Sequence, residues 1–207
     1  MSGSNIASII CGAPDGSLDR SLVEGLVICA DKGMEHAAAA GITPHIVVGD
    51  FDSSTVLPPD GIECIRVSPI KDDTDAMLAA NTAIERGCTV LRFFCALGGR
   101  FDHTFANVQM LQHLHERGIY AELYGGSERI RLLHEGDSVR IPRFEGFVSL
   151  FSYTAVAEVT ETGMKYPLQH YALDHGFPLG VSNEVAEEYG EIILHSGTAI
   201  LCEYHGA

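Results

Sequence analysis

Basic residues are scarce in this 207-residue chain: Lys and Arg total 13 against 28 Asp and Glu, for a formal net charge of -15. So negative a surface repels the phosphate backbone of nucleic acid and anionic membranes alike, so neither is an expected partner and a small substrate is favoured. Long hydrophobic runs are missing as well. No stretch approaches the roughly 18 apolar residues that a membrane-crossing helix needs. The opening MSGSNIASIICGAPDG has no basic start and only a short apolar segment, so it reads as a first strand and not as a signal peptide. The six cysteines form no CxxC pair, and most fall in apolar runs, where free thiols behave as small hydrophobes. That pattern suits a reducing, cytoplasmic setting. Low-complexity tracts, internal repeats and a Walker A phosphate loop are all absent.

What is present is enough apolar material, 46% of residues, for a sizeable core. Through about residue 125 the chain alternates short apolar runs (SIICGA, LVICA, IVVGD, VLRFFCAL, IYAELYG) with helical patterns. GMEHAAAAG is Ala-rich and closes on Gly41; DDTDAMLAANTAIERG has Asp or Thr caps, apolar Met77, Ala80 and Ile84, and a stop at Gly87. DHTFANVQMLQHLHERG repeats the form, with Phe105, Val108, Leu111 and Leu114 read along one side. Strand and helix in alternation imply a parallel sheet with helices on both faces. Beyond residue 130 the segments turn strand-like, with turn residues between them and no helical pattern. The fold class expected is therefore α/β: a parallel-sheet α/β domain over residues 1–130, then an all-β domain over 131–207.

Ligands of an open parallel sheet bind beyond the carboxyl ends of its strands. Four features fall there: Asp31 after LVICA, Asp50 and Asp52 after IVV, the group Asp72, Asp73 and Asp75 at a helix start, and GGRFDH after VLRFFCAL. A lone Asp at a helix start is usually a cap, a lone Asp31 a turn residue, and a GG pair a tight turn. Asp50 and Asp52 resist so plain a reading. Extended backbone points residues i and i+2 to one side, and two like charges there are costly unless a cation binds them. Oxygen ligands without His or Cys at ligand spacing suit Mg²⁺. Gly98 and Gly99 let backbone N–H groups approach an anion, Arg100 grips phosphate oxygens, and Lys71 and Thr74 add a charge and a hydroxyl beside a positive helix end.

The blocks ADKGMEHAAAAGITPHIVVGDFDSS, KDDTDAMLAANTAI, LGGRFDHTFANVQML, GMKYPL and VSNE, in that order, resemble the thiamine pyrophosphokinase family over nearly the whole chain. The resemblance implies an N-terminal α/β domain that binds ATP and a C-terminal β-sandwich, in a homodimer that holds thiamine in a cleft between subunits. It implies that the thiamine hydroxyl attacks the β-phosphorus of Mg-ATP, giving thiamine diphosphate and AMP. On this sequence it makes Asp50, Asp52 and Asp75 the Mg²⁺ carboxylates and puts Asp31 in the nucleotide site. Within GGRFDH it implies that Arg100 binds phosphate and Asp102 helps place metal or hydroxyl, with Gly99, His103 and Asn107 around them. Ser182 and Asn183 match the pair that contacts thiamine. Asp75 or Asp102 accepts the alcohol proton; the sequence does not separate them. Lys32 stands where many members carry Gly, as a phosphate contact or a solvated charge. The chain has no Trp, which the animal branch places against thiamine, so stacking on the ring differs here.

Three other readings compete. A related pyrophosphokinase would act on another hydroxymethyl compound such as a pterin, against which the GMKYPL and VSNE blocks speak. A phosphatase would use DFDSS as an aspartyl nucleophile motif, but the motif follows two earlier strands and such enzymes have no place for GGRFDH. A silent nucleotide or thiamine sensor would not need the near-complete acidic and phosphate-binding set.

Overall fold

The structure, a computed structural model, describes residues 5–14, 16, 18–49, 60–66 and 74–206, and these divide into two compact units, Met1–Gly126 and Ser127–Ala207. In the first, the five apolar runs become β1 (Ile6–Ile10), β2 (Leu26–Ala30), β3 (Ile46–Gly49), β5 (Val90–Phe94) and β6 (Tyr120–Tyr124), and a further strand, β4 (Glu63–Arg66), forms where no apolar run was read. All pair in parallel in the order β4-β3-β2-β1-β5-β6. Three helices lie between them: α1 (Gly33–Ala39), α2 (Asp75–Glu85) and α3 (Phe101–Glu116). α1 packs on β1 and β2, α2 spans β1, β2, β3 and β5, and α3 runs along β6.

Each helix begins and ends for a local reason. Thr74 caps α2 by accepting the Met77 N–H at 3.2 Å, and α2 buries Ala79, Ala80 and Ala83, small enough to lie close on the sheet. α1 stops where Gly41 takes φ 65, which lets the Ile42 N–H return to the Ala37 carbonyl at 2.8 Å. In α3 the inward side is Val108, Met110, Leu111 and Leu114. Phe105, read as part of that side, is instead 51% exposed. Steps of three residues drift about 60° around a helix, so Phe105 lies half a turn away from Leu114.

The second unit is a β-sandwich. One sheet has the order β7-β13-β9, from β7 (Glu128–His134), β13 (Thr198–Tyr204) and β9 (Phe147–Ser152). The other has the order β11-β10-β12-β8, from β11 (Leu168–Asp174), β10 (Val156–Thr162), β12 (Tyr189–Ser196) and β8 (Ser138–Pro142). Leu133, Val148, Leu150, Ala199 and Leu201 of the first sheet meet Ile141, Val159, Leu173, Ile192 and Leu194 of the second in one core. Fully burying each Leu, Ile or Val of this kind contributes about 1.5–3 kcal/mol. β7 and β8 are joined by a turn at Gly136, φ 90, that carries the chain from one sheet to the other.

None of the six cysteines pairs with another. Burial pushes the thiol of Cys29 up to about 12 and those of Cys95 and Cys202 up to about 11, and it raises Cys11 and Cys88 too; Cys64 alone is exposed. Because the thiolate is the reactive form, at pH 8 an aromatic disulfide reagent is expected to label Cys64 promptly in the native protein. The other five should react at least about a hundredfold more slowly until denaturant is added. Absorbance titration with and without guanidinium chloride checks this.

Candidate functional site

Strand order reverses direction between β1 and β5, and in a parallel sheet a crevice opens where the connections on either side of such a point diverge. Here the two connections are pinned to each other. The Cys11 N–H donates to the Phe94 carbonyl at 2.8 Å and the Ala13 N–H to the Cys95 carbonyl at 3.0 Å, carrying the β1–β5 ladder past the strand ends. Cys95 takes φ 51 and starts the turn through Gly98 (φ 99) and Gly99 (φ 67). A Cβ on Gly99 would fall 2.8 Å from Pro14 Cδ, so the glycine pair lies against the loop after β1 with no room for a side chain. The Gly98 N–H donates to Thr104 Oγ1 at 3.2 Å, and Asn107 Nδ2 donates to the Ala96 carbonyl at 2.8 Å. Asn107 thus ties α3 to the strand exit, with its amide directed at the protein backbone.

Arg100 precedes α3 as its N-cap and makes a bidentate pair with Asp102: Nε to Oδ1 at 3.1 Å and Nη2 to Oδ2 at 2.5 Å. The His103 N–H donates to the same Asp102 Oδ1 at 3.0 Å. The Arg100 guanidinium beside it holds the Asp102 carboxyl below the usual carboxylate range, and the Arg100 pKa is raised in return. Both side chains are exposed, so an incoming phosphate meets a guanidinium already paired with a carboxylate.

Across the switch point, Asp31 leaves β2 at φ 47, its N–H donating to the Val48 carbonyl at 3.0 Å. Lys32 follows as the exposed N-cap of α1 without a side-chain cap bond. Gly33 explains how close this corner sits, since a Cβ there would lie 1.9 Å from the Ile10 carbonyl oxygen. Asp75 lies in the first turn of α2, the crossover that leaves β4 and returns to the parallel strand β5, and so starts at the carboxyl edge of the sheet. The N-terminal unit therefore brings Asp31, Lys32, Asp75 and the GGRFDH turn to one edge of one sheet. Asp50, Asp52 and Lys71 lie outside the described residues.

In the C-terminal unit Ser182 has φ 58, and its N–H donates to Ser149 Oγ at 3.0 Å. Asn183 is buried and pairs with Val148 in a two-way backbone bridge at 2.8 and 2.9 Å. Its side chain joins the two sequence blocks of this unit: Oδ1 accepts the N–H groups of Tyr166 and Glu184, both at 3.0 Å, and Nδ2 donates to the Tyr166 carbonyl at 2.9 Å. Lys165 and Glu184, at 2.7 Å, close the same junction on the outside. Reading the sequence took in Lys165 and Tyr166 only within the GMKYPL block, without a role, and missed Glu161, a carboxyl that accepts from Asn183 Nδ2 at 2.7 Å. The available signal was an acid in the buried phase of a strand, since Ala157, Val159 and Glu161 alternate inward.

Burial raises the Glu161 pKa, partly opposed by the Asn183 hydrogen bond. With the folded pKa above the unfolded one, the folded protein holds the extra proton, so stability falls as pH rises through that interval. Glu161→Gln is accordingly expected to raise Tm at pH 8 relative to the parent chain and to have little effect near pH 4, in thermal melts at both values. Gly33→Ala forces the α1 corner off Ile10 and is expected to cost about 3 kcal/mol or more in urea unfolding.

A family profile described as "Thiamin pyrophosphokinase, catalytic domain" matches residues 23–123, and "Thiamin pyrophosphokinase, vitamin B1 binding domain" matches 134–198. A thiamine pyrophosphokinase of Bacillus subtilis is 30% identical over 185 residues, 85% of this chain and 86% of the relative. The crystal structure of thiamine pyrophosphokinase from Bacillus subtilis superposes with a TM-score of 0.87 at 26% identity, over 98% of this chain and 100% of that one. Thiamin pyrophosphokinase from Candida albicans shares the fold, with a TM-score of 0.76 at 17% identity over 96% and 88%.

Proposed function

The chain belongs to the thiamin pyrophosphokinase family, and from that premise we infer that it moves a pyrophosphoryl group from ATP to the hydroxyl of thiamine. The thiamine oxygen bonds to the β-phosphorus of ATP as the bond from that phosphorus to the α-phosphate oxygen breaks, releasing AMP and leaving thiamine diphosphate. The observation that carries the reading is the presence of both family halves, catalytic and vitamin B1 binding, in one chain of 207 residues.

We assign the nucleotide to the carboxyl edge around the β1–β5 switch point. Gly99, Arg100, His103 and Thr74, with Lys32 and Lys71, supply N–H groups, hydroxyl and positive charge for the phosphates, Asn107 braces the turn, and Asp31 serves the nucleotide site. Asp50, Asp52 and Asp75 are the carboxylates for Mg²⁺. Among the described residues the fit rests on Asp75, an oxygen donor in the first turn of α2 at the carboxyl edge of the sheet; β3, which also runs to that edge, ends at Gly49, one residue before Asp50. When bound, the ion supplies the charge neutralisation that a polyphosphate needs beside so many carboxylates. Asp75 or Asp102 accepts the alcohol proton; both oxygens of Asp102 are engaged by Arg100 before substrate arrives. Ser182 and the loop fixed by Asn183 receive thiamine, whose ring is stacked without a Trp.

A homodimer fits the C-terminal unit, where Phe147, Phe177, Leu179, Val181 and Tyr204 are exposed. Six unpaired cysteines suit a cytoplasmic enzyme. AMP release that requires thiamine and Mg²⁺ together is the expected result of a coupled assay; release without thiamine counts against the reading. Asp52→Asn is expected to lower kcat at least about a hundredfold with an unchanged circular dichroism spectrum. Light scattering should give twice the chain mass of 22.3 kDa, and Phe177→Asp should shift it toward one.

A further inference from the structure

The two loops that carry Tyr166 and Ser182 are joined by backbone bonds, the Lys165 N–H to the Glu184 carbonyl at 2.8 Å and the Ala186 N–H to the Gly163 carbonyl at 2.9 Å. They are joined also by the Asn183 side chain, which meets Glu161, a β10 carboxyl only 3% exposed. An Asn side chain offers two N–H donors and two acceptor lone pairs. In Asn183 all four are used: Nδ2 donates to Glu161 Oε2 at 2.7 Å and to the Tyr166 carbonyl at 2.9 Å, while Oδ1 accepts from Tyr166 and Glu184 at 3.0 Å each. Nothing of this amide is left over for a ligand. Its contribution to a bound molecule is the position of its neighbours.

That position depends on which way round the amide sits. Turned over, its NH₂ would face the two N–H groups of Tyr166 and Glu184, and its oxygen would face the Tyr166 carbonyl. Glu161 adds a fourth constraint of the same sense, an acceptor where only an N–H can be met. It does so from the buried side, where a lost partner cannot be replaced cheaply by water. The loop it steadies includes Ser182 at φ 58, a conformation that a non-glycine residue keeps only when its surroundings enforce it.

We propose that Glu161 is a positioning residue for the thiamine end of the site, acting through Asn183 to hold residues 164–166 and 182–184 in one arrangement. The proposal rests on the reading of the chain as a thiamine pyrophosphokinase. It requires an acceptor at position 161, which Gln supplies through its carbonyl and Leu does not. Thr, shorter by two bonds, provides a second variant that falls short of Asn183 without placing an apolar side chain beside the amide.

The test compares Glu161→Gln, Glu161→Leu and Glu161→Thr in the full chain. Steady-state kinetics are expected to show KM for thiamine raised about tenfold or more in the Leu and Thr variants, with kcat and KM for ATP within about twofold. The Gln variant should match the parent within about twofold. Hydrogen exchange on the protein without substrates is expected to speed up at the Tyr166 and Glu184 amides in the Leu and Thr variants and not in Gln. Parent-like exchange and KM in both Leu and Thr overturns the proposal, as does a Gln variant as impaired as they are. If Leu does not fold, Thr decides. If the parent makes no AMP from ATP and thiamine, the functional reading fails and the exchange comparison still decides whether Glu161 holds the loops.

Discussion

Everything the N-terminal unit gathers at its candidate site depends on the parallel register of β1, β2 and β5. Residues Ile10, Cys29 and Phe94 lie side by side, so the chain leaves all three strands at the same level. Parallel strands must be joined by crossovers, and each crossover helix starts again at this edge. The three helices therefore begin where the acids and the glycine pair are. Gly33 and Gly99 make the edge tight, because each sits where a Cβ would strike a neighbouring segment. Function here is first a matter of backbone approach, and only then of side chains.

Charge sets the second condition. A chain with 28 acids and 13 bases has to gather its few cations where a polyphosphate would lie. At the described edge these are Lys32 and Arg100, and Arg100 is already paired with Asp102. Such a pair moderates both partners. It keeps a guanidinium oriented before a ligand arrives, and it keeps the adjoining carboxylate from acting as an additional repulsive charge.

Much of this was legible in the sequence because the physics was local. Alternating apolar runs and capped helical patterns forecast the parallel sheet, since period and caps are properties of neighbouring residues. β4 escaped the same reading because it is an exposed edge strand, with ECIR lacking an apolar run. Phe105 was misplaced for a geometric reason, the slow rotation of an every-third-residue pattern around a helix. At the candidate site, the residue types at the strand exits were readable, but their partners were not. Nothing in GGRFDH says that Arg100 pairs with Asp102, because residue type does not fix a rotamer, and nothing in VSNE says that Asn183 spends its whole amide on Tyr166, Glu184 and Glu161, because most of those bonds join segments 17 to 22 residues apart.

The two units thus solve positioning by different means. The N-terminal unit uses main chain: ladders continued past strand ends, a threonine cap, and glycines admitted by contact. The C-terminal unit adds one buried side-chain amide to loops that only isolated backbone bridges join. Backbone positioning is robust to most substitutions and intolerant of a few small-to-large ones. Amide positioning fails by a single lost acceptor, because a buried N–H without a partner costs about 1–3 kcal/mol whatever replaces the acceptor's volume. Sensitivity in one unit should therefore track the size of the residue introduced, and in the other its hydrogen-bonding capacity, a contrast that follows from how each loop is held and not from how near it lies to the chemistry.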